Sequence, residues 1–124
     1  MPAETTAFDL VLGRIIDPLT AAYPGTPVVT ALRNALGRGA WAIPVVEGGA
    51  QIGSVSVPSL ESLAPEQGAM CVREILEPPL PEVDERAPLS AVVSLLADHP
   101  AVVVTRAGFP LGLLTSEDLV RDRV

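Results

Sequence analysis

The chain has 124 residues, 48% hydrophobic and 19% charged, with a formal net charge of −7 and a mean hydropathy of +0.42, a composition that folds into one compact unit rather than staying disordered. It shows no apolar run of the ~20 residues a membrane span needs, no N-terminal basic region followed by a hydrophobic core, and one cysteine, Cys71, with one histidine, His99, too few for an intramolecular disulfide or a four-ligand zinc site. All eight basic residues are arginine, which excludes lysine Schiff-base chemistry and the lysine-bearing phosphate loop, while the acidic surface disfavours nucleic acid; a soluble, cytoplasmic chain is the expectation.

Self-comparison finds a repeat. After a lead-in over residues 1–10, the segment Leu12-Gly13-Arg14-Ile15-Ile16-Asp17-Pro18 matches Val72-Arg73-Glu74-Ile75-Leu76-Glu77-Pro78, with apolar, basic, acidic and proline positions in the same order. Pro27 then precedes an apolar-periodic stretch, Val28 to Leu36, as expected of a short helix opened by proline. Ile43 to Val46 reads as a short buried strand, Gly48-Gly49 as a turn and Gln51 to Ser56 as the second strand of a hairpin. Val57-Pro58-Ser59-Leu60-Glu61-Ser62-Leu63 starts a closing helix, with Pro58 suited to its first turn.

Residues 64–70 form a linker, so the first repeat occupies 11–63 and the second 71–124. The second opens with a proline-rich extended lead-in, Glu77 to Arg86. Its helix runs Leu89 to Ala97, its strands Ala101 to Thr105 and Pro110 to Thr115, and its turn is Ala107-Gly108. The closing helix is marked by Thr115-Ser116-Glu117-Asp118, in which Thr115 caps and Asp118 reciprocates.

This order, ending in Gly108-Phe109-Pro110-Leu111-Gly112-Leu113-Leu114-Thr115-Ser116-Glu117-Asp118-Leu119, resembles the CBS domain. Two in tandem resemble the CBS pair, or Bateman module, with Ile43-Pro44-Val45-Val46-Glu47 and Ile52-Gly53 carrying the first copy. The resemblance implies an α/β (α+β) fold of two β-α-β-β-α repeats packed by their sheets with pseudo-two-fold symmetry. It also implies a non-catalytic regulatory module binding an adenosyl compound, AMP, ADP, ATP or S-adenosylmethionine, in a cleft between the copies. No obligatory cofactor follows from it.

By the same resemblance Asp118 accepts the ribose hydroxyls, and Thr115 and Ser116 approach ribose or phosphate. The chemistry suits this: a carboxylate is acceptor-only and can hold a vicinal diol. That cleft would also be lined by Ala40, Trp41, Ile15 and Thr20, with Trp41 stacking on adenine. A second, degenerate cleft would hold Ser56, Ser59, His99 and Pro100; there Ser59 stands where the carboxylate belongs and Pro58 removes an amide. The resemblance further implies a homodimer and a regulated protein partner that the sequence does not name.

Plainer readings stand beside these. Thr115 and Asp118 form a helix cap in any case, Trp41 reads equally as core filler, His99 as a capping or surface residue, and Cys71 as a small buried side chain. Glu74, Glu77, Glu82, Asp84 and Glu85 read as a solvated face. The alternative function is a structural or dimerisation module with a vestigial pocket. An enzyme would need a nucleophile beside the lone His99, and no such motif surrounds it.

Overall fold

A computed structural model describes residues 6–12 and 21–122. The described residues divide into two compact units, one formed by residues 21–80 and the other by 6–12 with 81–122. These do not coincide with the sequence repeats, because residues 71–80 pack with the first repeat and residues 6–12 with the second. Helix α1 (Ala7–Leu12) therefore belongs to the second-repeat unit. It lies partly within what the sequence presents as a lead-in, and Thr6-Ala7-Phe8-Asp9 starts it with a capping box. The Asp9 carboxylate accepts the Thr6 N–H (2.9 Å) and the Asp9 N–H reaches the Thr6 hydroxyl (3.4 Å).

In the first-repeat unit, α2 (Val28–Arg38) follows Pro27, as expected, and buries Val28, Ala31 and Ala35, a 3–4 spacing that makes one apolar face. Its first N–H groups lack partners within the helix. The linker supplies them: Val28 N–H donates to Met70 O (2.8 Å) and Val29 N–H to Gly68 O (3.2 Å). Gly39 at φ 73° ends the helix, and Ala40 N–H reaches back to Ala35 O at 2.9 Å.

That turn delivers the chain into β1 (Ala42–Glu47), whose first five residues are buried, and β2 (Ala50–Ser56) returns antiparallel to it. Gly48 and Gly49, at φ 61° and 81°, make the two-residue turn that matches the twist of the strands. Ala22 lies parallel to Val45 on the other side of β1 as a single-residue bridge. Helix α3 (Val57–Glu61) closes the repeat, with Pro58 in its first turn. Two 3-10 turns follow, at Pro65–Gln67 and Val72–Ile75.

The second-repeat unit has the same order written out more fully. The proline-rich lead-in includes β3 (Glu82–Asp84), parallel to β4 (Val102–Arg106), and β5 (Phe109–Leu114) runs antiparallel to β4. Val83 pairs with Val104 as Ala22 pairs with Val45. Both hairpins break register at one place, between Val45 and Val46 and between Val104 and Thr105. Between β3 and β4 lies α4 (Leu89–Leu96), and α5 (Ser116–Asp122) ends the described chain. The core gathers Ala7, Val92, Leu96, Val102, Val104 and Leu114, so α1 completes the second repeat's interior.

Candidate functional site

In the second repeat the chain leaves β5 at Leu114 and starts α5 at Ser116, placing Thr115 at the junction. Asp118 is 1% exposed and Thr115 is buried. One oxygen of the Asp118 carboxylate, Oδ2, accepts both the Thr115 N–H (2.8 Å) and the Thr115 hydroxyl (3.3 Å), and Asp118 N–H donates to Thr115 O at 3.0 Å. Asp118 reciprocates as expected, but the Thr115 hydroxyl donates to the carboxylate instead of accepting a helix amide, the Asp118 N–H going to the Thr115 carbonyl. Ser116 is exposed beside the pair. His99 and Pro100 lie exposed on the turn between α4 and β4, where His99 N–H donates to Leu95 O (3.0 Å).

In the first-repeat unit Ala40 is buried and Trp41 is 59% exposed. Trp41 is not core filler: Gly39 turns the chain so that only its neighbours Ala40 and Ala42 face inward. Its backbone is anchored, since Trp41 O accepts the Val57 N–H at 2.7 Å. Ile15 and Thr20 lie outside the described residues. Cys71 is half-buried rather than buried.

Ser56 caps α3, standing at the junction that Thr115 holds before α5. Ser59 N–H points at the Ser56 hydroxyl (3.4 Å), and the two hydroxyls lie 3.0 Å apart. The carboxylate at this place comes from Glu77, whose Oε1 accepts the Ser56 N–H (3.1 Å) and the Ser56 hydroxyl (3.0 Å). Of the acidic residues read as a solvated face, Glu77 and Glu85 are half-buried and committed. Glu85 accepts the Arg106 Nε–H at 2.8 Å, and the Arg106 guanidinium lies 5.7 Å from the centre of the Phe8 ring. A signal for Glu77 is present in the sequence, because Glu77-Pro78 repeats Asp17-Pro18.

These features, a β-α-β-β-α unit whose last strand hands a threonine and an aspartate to a closing helix, define a small fold built from paired repeats. Residues 72–124 match the model of the CBS domain family. The full length shares the fold of solved CBS-pair proteins. It is similar to the CBS-pair protein CBSX2 from Arabidopsis thaliana, with a TM-score of 0.77 and 21% identity over 98% of this chain and 95% of that one. It is similar to protein MJ1004 from M. jannaschii, at TM-score 0.81 and 18% identity over 96% of this chain, which spans 59% of that protein. It also resembles CbpB, solved in complex with c-di-AMP, at TM-score 0.66 and 15% identity, covering 90% of this chain and 83% of that one. No curated protein matches the sequence significantly. Among the described residues no helix is long and apolar enough to cross a membrane.

Proposed function

We propose that the chain is a non-catalytic regulatory module that binds an adenosyl compound, with Asp118 as the acceptor for the ribose hydroxyls and Thr115 and Ser116 beside it. The observation that carries this reading is the Thr115–Asp118 pair, which lies within the segment that matches the CBS domain family. A carboxylate held by a backbone N–H and a hydroxyl is fixed in orientation and, as an acceptor-only group, suits a vicinal diol. The adenine dinucleotide bound by the fold relative CbpB supports the ligand class. With eight arginines and no lysine in a chain of net charge −7, AMP or S-adenosylmethionine fits better than ATP, because each added phosphate needs local positive charge. Binding that differs between two arrangements shifts their populations, which a homodimer or a second protein reads. A cytoplasmic setting belongs to the same proposal.

The second reading, an interaction module with a vestigial pocket, is favoured by one feature, the near-complete burial of Asp118. Thermal unfolding with and without millimolar AMP, ADP, ATP, S-adenosylmethionine and c-di-AMP separates the two. A native-state ligand at a hundredfold its dissociation constant stabilises by about 2.7 kcal/mol. The sensor reading expects one compound to raise the melting temperature, and Asp118→Asn to abolish that rise whatever its own baseline. The exposed indole of Trp41, the single tryptophan, reports by its emission whether an adenine reaches it. A folded protein unmoved by all five compounds overturns the sensor reading.

A further inference from the structure

We propose that Cys71–Leu80 is a latched strap, a segment that lifts from β2 as a unit while the hairpin beneath it stays intact, with the Glu77 carboxylate as its latch. The strap is buried at its ends, at Val72 and Leu80. Between them Arg73, Glu74, Pro78 and Pro79 are exposed and Leu76 is 39% exposed, so little apolar burial holds it down. Few buried apolar contacts along a segment mark a locally opening unit.

At its start the strap is tied to the segment before α2, Val72 N–H donating to Thr26 O (2.9 Å) and Arg73 N–H to Pro24 O (3.2 Å), so it pivots there; against β2, what holds it is polar. Ser54 N–H donates to Glu77 O (3.0 Å) and Glu77 N–H returns to Ser54 O (2.9 Å). The Ser54 hydroxyl donates to Pro78 O at 2.7 Å. The Gln51 amide accepts the Leu80 N–H (2.7 Å) and donates to Leu80 O (3.1 Å). Pro78, Pro79 and Pro81 have no N–H to donate, so the strap cannot extend into a strand and side chains hold it instead. Only the Glu77 clasp on Ser56 is ionic, and hydrogen bonds to a charged acceptor are the stronger kind. When the strap lifts, the Ser54 N–H and C=O stand unpaired on the outer edge of β2, open to another extended chain.

Hydrogen exchange on the full chain tests this. Four amides depend on the strap's contact with β2, those of Ser54, Ser56, Glu77 and Leu80, whereas Ile43 and Val55 report the β1–β2 ladder. The four are expected to exchange together and faster than Ile43 and Val55. Glu77→Ala is expected to speed the four by about tenfold or more, leaving Ile43 and Val55 unchanged. Glu77→Gln, which keeps an acceptor oxygen, is expected to produce a smaller change. If the four amides of the unaltered chain exchange only with Ile43 and Val55, the strap does not open separately and the proposal falls, whether or not Glu77→Ala folds. Equal acceleration of all six in Glu77→Ala also overturns it, since Glu77 would then be a general stabiliser.

Discussion

Glu77 accepts, on one carboxylate oxygen, both the backbone N–H (3.1 Å) and the hydroxyl (3.0 Å) of Ser56, a residue 21 positions earlier in the chain. Asp118 does the same for Thr115 from three positions away. The two repeats thus place a carboxylate at the start of the closing helix by different routes. The first repeat, which has Ser59 at the aspartate's position, takes its carboxylate from the segment that follows it.

That route demands a close approach at Gly53. A Cβ there would lie 2.5 Å from Leu76 Cγ and 2.7 Å from Glu77 O, and the second of these is backbone that cannot turn away. Gly53→Ala is expected to destabilise the chain by about 1–3 kcal/mol, the usual range for overpacking. Gly25, where a Cβ would meet nothing within 4 Å and the backbone has no left-handed φ, is the control, and Gly25→Ala should be neutral or slightly stabilising. Thermal unfolding of both variants decides it; equal melting temperatures would mean the strap has room to shift.

The two hairpin turns differ in one residue. Gly48 and Gly49 take φ 61° and 81°, while Ala107 and Gly108 take 52° and 85°. Ala107 alone among the described non-glycine residues carries a positive φ, a conformation in which Cβ crowds the following carbonyl. Asparagine tolerates it, and Asn-Gly is a preferred pair for this turn. Ala107→Asn is expected to stabilise by up to about 1 kcal/mol and Ala107→Val to destabilise by at least as much. Denaturant midpoints of the two variants should move in opposite directions.

At the end of β3 the Asp84 carboxylate accepts the Arg86 N–H (2.9 Å) and Nε–H (3.2 Å). The backbone bond first, then the guanidinium bond, holds the Asp84 carboxyl below its ordinary range. A folded-state value lowered relative to the unfolded chain contributes stability that is present above the unfolded pKa, about 3.9, and lost as pH falls through the lower folded value. Carboxyl chemical shifts should show Asp84 titrating below a free aspartate. Asp84→Asn should flatten this part of the acid limb of the unfolding curve, by a small amount because the pair is solvent-exposed.

Local patterns made most of the elements legible. Proline before an apolar-periodic stretch marked α2 and α4, β-branched runs marked β1 and β4, and paired turn residues at 48–49 and 107–108 marked both hairpins. Asp118 was readable as the side chain that answers Thr115 because a step of three positions from a helix start is a local spacing. Less legible was the first repeat's opening strand, which among the described residues is the Ala22–Val45 bridge, a single pair with no run of residues to detect. Exposure of Trp41 was open on sequence grounds because an indole before a buried strand serves either side of the surface.

The sequence by itself determined the repeat, the order of elements and the residues of the second closing motif, since each depends on neighbours within one or two turns of chain. Only the tertiary structure decided that residues 71–80 pack with the first repeat and α1 with the second, and that Glu77 answers Ser56. Those pairings join residues far apart in the chain, and their energy comes from burial and hydrogen bonds that exist only after the β1–β2 hairpin has formed the edge they close on.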